Sequence, residues 1–195
     1  YLQAVQIEPG NQEIRMILAG IYENAGKEDA AAEQYRYLAK HSPDAAAAWK
    51  AMGNSYLKKA KYSRAIESYE QAVKIQPQDG AVHASMAAAY AGLGRLKEEM
   101  QHLQKAAVLM PDQPVVHFNL AVAYEKRKMA DDALREYLHV LKISPEDTDA
   151  LERAADLTLK SKKYDQAVRY YEKLGKKFPQ KASIFAKTGF AYGEM

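Results

Sequence analysis

The histidines of this sequence are the residues best suited to metal or proton chemistry. His83 and His117 occupy equivalent positions in a pattern that repeats along the chain. Two neutral imidazoles brought together would hold a transition metal or titrate near physiological pH. No third ligand is in phase with them, and the chain has no cysteine, which removes thiolate sites and disulfides. His41, His102 and His139 have no recurrent spacing and read as surface residues. Nucleophilic catalysis lacks its parts, because no serine sits on a glycine-rich strand-to-helix elbow. Gly92 and Gly94, in AGLGR, form a turn signal rather than a phosphate-cradling loop. The acidic pairs Glu98/Glu99 and Asp131/Asp132 read as helix openings, where negative charge suits the dipole. The sequence therefore points to no catalytic residue, no cofactor-binding residue and no metal site.

The elements that would position any chemistry are more informative. The chain has 195 residues, long enough for a sizeable core, and its composition is rich in Ala and Tyr, which favours helix over sheet. A net charge of only +3, with the charges interspersed, argues against a nucleic-acid or anionic-membrane surface. No apolar run approaches membrane-spanning length, and no signal peptide is visible. The compartment, cytoplasmic or bacterial periplasmic, stays open. Pro9, Pro43, Pro77, Pro111, Pro145 and Pro179 recur at one fixed interval, and only Pro114 falls outside the series. Tyr22, Tyr56, Tyr90, Tyr124 and Tyr192 keep the same step, with Thr158 in the gap. So do Ala31, Ala65, Ala133 and Ala167, and so do Tyr35, Tyr69, Tyr137 and Tyr171, with Leu103 between them.

Residues 48–77, AWKAMGNSYLKKAKYSRAIESYEQAVKIQP, show what one copy encodes. Trp49, Met52 and Tyr56 form one helical stripe, and Ala65, Tyr69 and Ala72 form a second. Small Gly53 and Ala65 permit close helix contact, and proline stops the second helix. Asn11, Asp79 and Asp147 are expected to cap first helices, and Asp29, Ser63, Asp131 and Asp165 to cap second helices. This pattern resembles the tetratricopeptide repeat family, W-x2-L-G-x2-Y then A-x3-F then P in about 34 residues, the interval of the proline series. The resemblance covers the whole chain: a half repeat over 1–11, repeats 12–45, 46–79, 80–113, 114–147 and 148–181, and a partial repeat over 182–195. Only Trp49 keeps the tryptophan, which is replaced by Arg15, His83, His117, Leu151 and Phe185 elsewhere. Glu99 stands where the small alanine belongs, so the third hairpin is expected to be splayed or locally shifted.

The resemblance implies an all-α, right-handed α-solenoid of antiparallel helix-turn-helix units, with first helices lining a concave surface. The ragged ends suggest a segment of a longer array with sticky termini. In the family, ligands meet first-helix positions 2, 5, 9, 12 and 13. Carried over, these positions give a partner-binding groove at Lys50, Asn54, Lys58, Ala84, Ala88, Val115, Phe118, Val122, Glu125, Glu152 and Asp156. Lys50 and Asn54 fit the first places of the family's carboxylate clamp. Ser85, Val115 and Asn119 do not fit the rest, and a standard clamp is rejected. An apolar strip remains, with Phe118 as aromatic anchor, basic groups on one side and acidic groups on the other. The expected function is a non-catalytic protein–protein interaction scaffold that binds a peptide or helix of a partner. The alternatives are a self-assembly module, or the adaptor segment of a larger enzyme or of a bacterial envelope export or polysaccharide-secretion machine. An RNA-binding pentatricopeptide reading is disfavoured by the length of the repeat and the lack of a basic face.

Overall fold

A computed structural model describes residues 1–195, which form twelve helices and no strand. No helix is long and apolar enough to cross a membrane. The helices fall into two compact units, Tyr1–Leu109 and Met110–Met195. The first unit holds α1 (Leu2–Ile7), α2 (Gln12–Asn24), α3 (Glu28–His41), α4 (Ala45–Lys58), α5 (Tyr62–Ile75), α6 (Gly80–Gly92) and α7 (Leu96–Leu109). The second holds α8 (Pro114–Lys126), α9 (Ala130–Ile143), α10 (Thr148–Lys160), α11 (Tyr164–Lys177) and α12 (Ala182–Glu194). Within each unit, helices adjacent in sequence pack against one another, as antiparallel hairpins joined by tight turns require. The helix starts recur with the step of the prolines, except that α4 begins one residue early. There Asp44 accepts the backbone N–H of Ala47 and so takes over as N-cap.

The turn inside each hairpin is the most regular feature of the chain. Residues 26, 60, 94, 128 and 162 all have positive φ: Gly26 at 71°, Ala60 at 55°, Gly94 at 70°, Lys128 at 61° and Lys162 at 56°. The following residue donates its N–H to the carbonyl at the repeating aromatic position: Lys27 to Tyr22, Lys61 to Tyr56, Arg95 to Tyr90, Met129 to Tyr124 and Lys163 to Thr158. This is the Schellman closure of a helix C-terminus, in which a left-handed residue lets the chain fold back on the last turn. The residue after it already serves as the N-cap of the next helix in four of these turns, at Lys27, Lys61, Met129 and Lys163. No room is left for a side-chain cap, which corrects the expectation for Asp29, Ser63, Asp131 and Asp165. These four lie inside the first turn, where they meet the helix dipole or solvent instead. The caps expected at the first helices form: Asn11 accepts from Ile14, Asp79 from Ala81 and Val82, and Asp147 from Ala150. Each proline of the periodic series follows the end of a second helix, and the residue before it is forced toward extended backbone, as at Ser42 (ψ 142°), whereas Pro114 opens α8.

Packing follows the small-and-aromatic pattern. Ala65 and Tyr69 are fully buried, and a Cβ on Gly53 would stand 2.5 Å from the ring of Tyr69. The lack of a side chain at Gly53 therefore makes room for the ring of Tyr69 between α4 and α5. Gly92, expected in a turn, is the last residue of α6, and a side chain there would collide with the ring of Tyr62. The hairpin of α6 and α7 is closed rather than splayed, with Glu99 buried at 5% exposure. Leu103 replaces the tyrosine of the other repeats one turn further on, which frees volume for the longer side chain. The unit-1 core is built from Tyr35, Met52, Tyr56, Tyr69, Met86 and Tyr90 with alanines between them. In unit 2, Leu151, Tyr171, Leu174 and Ile184 belong to one cluster.

Candidate peptide-binding groove

The first-helix positions carried over from the repeat pattern fall in both units. In unit 1, Lys50 on α4 is half-buried and donates to Asp79 Oδ2 at 2.8 Å. Burial pushes the Asp79 carboxyl up, but the Lys50 ammonium and the N–H groups of Val82 and Ala81 outweigh it and leave the carboxyl below its ordinary value. Asn54 accepts from the Tyr69 hydroxyl at 2.7 Å, and Lys58 and Ala88 are exposed, while Ala84 is half-buried. In unit 2, Val115 is 62% exposed. Phe118 is half-buried and meets Tyr137 edge-on, with ring centroids 5.3 Å apart. Val122 is half-buried beside it on α8.

The acidic members are already engaged within their own unit, which the sequence did not reveal. Glu125 accepts from the Tyr137 hydroxyl at 2.5 Å and lies 3.5 Å from Arg153. Glu152 takes both its hydrogen bonds from Lys181, at 2.9 and 3.0 Å. Asp156 accepts from Lys187 at 2.6 Å and from the Tyr171 hydroxyl at 2.5 Å. Burial raises the Asp156 pKa, and those two bonds overcome it, so the carboxyl titrates below its ordinary range. The same burial, with an acidic acceptor beside the hydroxyl, pushes the Tyr137 and Tyr171 phenols far up. Each tyrosine thus ties the second helix of a hairpin to a residue of the first. Lys50–Asp79 and Glu152–Lys181 occupy equivalent places three repeats apart, with their charges exchanged.

Two adjoining cavities flank Phe118. One of about 400 Å³ lies between the starts of α8 and α10, against Pro114, Val115, Asp147 and Asp149. The other, of about 480 Å³, runs along α10 past Asp149, Glu152 and Asp156. The arrangement offers an exposed aliphatic group, an aromatic wall and one carboxylate, Asp149, for which no partner is seen. It brings together no nucleophile with a base, and no cluster of three metal-ligating side chains occurs.

The histidines are not scattered, contrary to the expectation for His102 and His139. His83 is buried, its Nε2 is 3.3 Å from the carbonyl of Pro77, and its Nδ1 is 3.0 Å from Nδ1 of His102. His117 repeats the first contact on Pro111 at 3.0 Å, with Nδ1 2.7 Å from Glu136, and its ring stacks on His139 at 4.0 Å. Arg15 does the same, donating to the Pro9 carbonyl and to Gln34, with its guanidinium over the ring of Tyr37 at 3.4 Å. Each of these residues holds the carbonyl of the proline before its own helix and a side chain 19 residues onward. For Arg15 and His117 a ring one helical turn beyond that partner joins them. That spacing was present in the sequence and would have linked His102 to His83, and one further helical turn would have linked His139 to His117. Burial lowers the His102 pKa to about 4, with help from the charges of His83 and Lys105 and against the pull of Glu98.

The comparisons with known proteins agree with the fold. Tetratricopeptide repeat models match residues 46–79 and 149–181. Compared with curated protein sequences, the chain matches none. Among solved structures it is similar to YrrB, described as a tetratricopeptide-repeat protein with an unusual peptide-binding site. That match has 19% identity, covers 95% of each chain and has a TM-score of 0.73. It is also similar to the MamA protein, with 21% identity, 88% of this chain and 94% of that one, and a TM-score of 0.73. A third is a tetratricopeptide repeat protein from Parabacteroides merdae, with 16% identity, 94% and 73% coverage, and a TM-score of 0.73. These likenesses establish the all-α helical-repeat fold. Two matched repeats, a turn recurring at one fixed interval and the shared fold lead to one conclusion: the chain carries tetratricopeptide repeats at residues 46–79 and 149–181 within an all-α helical-repeat fold.

Proposed function

We propose that this chain is a non-catalytic interaction scaffold that binds a peptide or helix of a partner protein through its first helices, with α8 and α10 as the principal seat. The observation that carries this reading is the pair Val115 and Phe118, an exposed aliphatic group beside an aromatic wall, flanked by two cavities. A solvent-facing apolar anchor next to a concavity is the usual centre of a binding hot spot. Because Glu125, Glu152 and Asp156 already have cationic or phenolic partners, they act as a fixed polar rim, and the incoming apolar side chain supplies most of the affinity. The similarity to YrrB, a repeat protein described as having a peptide-binding site, supports a peptide as ligand class. Lys50, Asn54, Lys58, Ala84 and Ala88 extend the same reading to unit 1.

Peptides selected from a displayed random library on the wild-type chain test the proposal. They should carry a recurring apolar residue and lose binding by about tenfold or more to Phe118→Asp, the scale of losing one buried anchor. Equal binding to the folded Phe118→Asp variant would move the site elsewhere. A second reading, self-association, is favoured by α12, which exposes Phe185, Phe190 and Tyr192 at 51%, 56% and 52%. Sedimentation velocity at rising concentration separates the two readings, since a strict monomer excludes the second and leaves the first intact.

A further inference from the structure

A second pocket, of about 580 Å³, opens in unit 1 on the side of the hairpins formed by the second helices α3 and α5. Its floor is Trp49, Met52 and Tyr56 of α4, and its inner wall includes Ser68, only 2% exposed. Comparison with the neighbouring repeats explains why it is open. In repeats one, three and four, the residue in the place of Trp49 reaches 19 residues onward to a polar side chain: Arg15 to Gln34, His83 to His102 and His117 to Glu136. In two of them a ring one helical turn beyond that side chain stacks on it, Tyr37 on Arg15 and His139 on His117. These repeats therefore plug the place with planar groups of their own. In the second repeat the corresponding residues are Ser68 and Gln71. The Ser68 hydroxyl turns back to donate to the Arg64 carbonyl at 2.9 Å, and the half-buried face of Trp49 is left lining the cavity.

The rim determines what the pocket suits. Asp29 and Arg36 of α3 and Arg64 and Glu67 of α5 are two cations and two anions, so the mouth carries no net charge. A fully charged ligand group would meet as much repulsion as attraction there, whereas a neutral ring with a polar edge would not. Such a ring gains from stacking on Trp49 and from a hydrogen bond at its edge to Gln71 or Glu67. We propose that this pocket is a second binding site, independent of the Phe118 groove, which takes the aromatic side chain of a partner peptide, a tyrosine before all others. The partner's ring would stand where Tyr37 and His139 stand in their own repeats.

Trp49 is the only tryptophan of the chain, so its emission reports on this pocket alone. Titration of the intact chain with N-acetyl-tyrosinamide should change that emission to saturation, and N-acetyl-leucinamide should need about tenfold more, the worth of an aromatic pair. Ser68→His and Gln71→Tyr, which install the plugs of the neighbouring repeats, should each abolish the saturable change, while Phe118→Asp should leave it as it was. Circular dichroism checks the fold of each variant. Ser68 is buried, so if its replacement unfolds the chain, Gln71→Tyr at a half-buried position decides alone. A strictly linear, collisional response of the wild type would overturn the proposal, and so would an unchanged midpoint in folded Gln71→Tyr.

Discussion

At the scale of single residues, the contact of Gly53 with Tyr69 is a tight constraint. The added methyl of Gly53→Ala would meet the buried ring at 2.5 Å, and the ring cannot move because it is itself fully buried. Overpacking of this kind costs roughly 1–3 kcal/mol against a gain of roughly 1 kcal/mol in helix propensity, so the urea midpoint should fall. His102 makes a pH-dependent prediction. Its pKa drops from 6.5 to about 4 in the folded chain. Between those values the unfolded chain binds the extra proton and the folded chain does not, so stability is full above pH 6.5 and declines as pH falls toward 4. His83, also lowered by burial, adds to the same trend. His102→Gln, the residue type at the equivalent Gln34, should flatten the change in urea midpoint between about pH 7 and pH 5. An unaltered slope would mean that this imidazole titrates normally.

At the scale of elements, the hairpin turn and the inter-repeat ion pairs set the terms. Ala60, Lys128 and Lys162 hold a left-handed backbone that costs an L-residue roughly 1–2 kcal/mol, while Gly26 and Gly94 hold it freely. Changing Ala60, Lys128 or Lys162 to glycine should stabilise the chain by about 0.5–1 kcal/mol each, after the extra chain entropy of glycine. Gly94→Ala should do the reverse by a similar amount. Thermal denaturation of the single variants and of the triple glycine variant checks both signs. The exchanged pairs Lys50–Asp79 and Glu152–Lys181 predict that one geometry accepts either polarity. The double variant Glu152→Lys/Lys181→Glu should recover most of what either single reversal loses. The loss itself should be below about 1 kcal/mol, because both partners are partly solvated.

For the whole molecule, a chain of repeats distributes stability over neighbours rather than through one centre. Strain at Gly53 should accordingly lower hydrogen-exchange protection most in α4, α5 and α6, and least in α10 and α11. A uniform loss across all helices would indicate a single cooperative unit instead. The proposed groove and the Trp49 pocket lie in different units, which makes their functional tests separable by variant.

Sequence alone was sufficient for the helices and their order, because the evenly spaced recurrence of proline, tyrosine and alanine is a local signal that each hairpin can satisfy by itself. It was also sufficient to place Phe118 and Val115 on a first-helix face. It did not show that Lys50, Glu152 and Asp156 have partners two helices onward, nor that His102 belongs to His83. Those pairings depend on how far one helix lies from the next and on where each side chain turns. That distance is fixed by the volumes packed between the helices. A glycine against a tyrosine draws two helices together, and a serine bonded back to its own helix leaves a cavity where a histidine would have filled it. Only the tertiary structure holds both sides of such contacts at once.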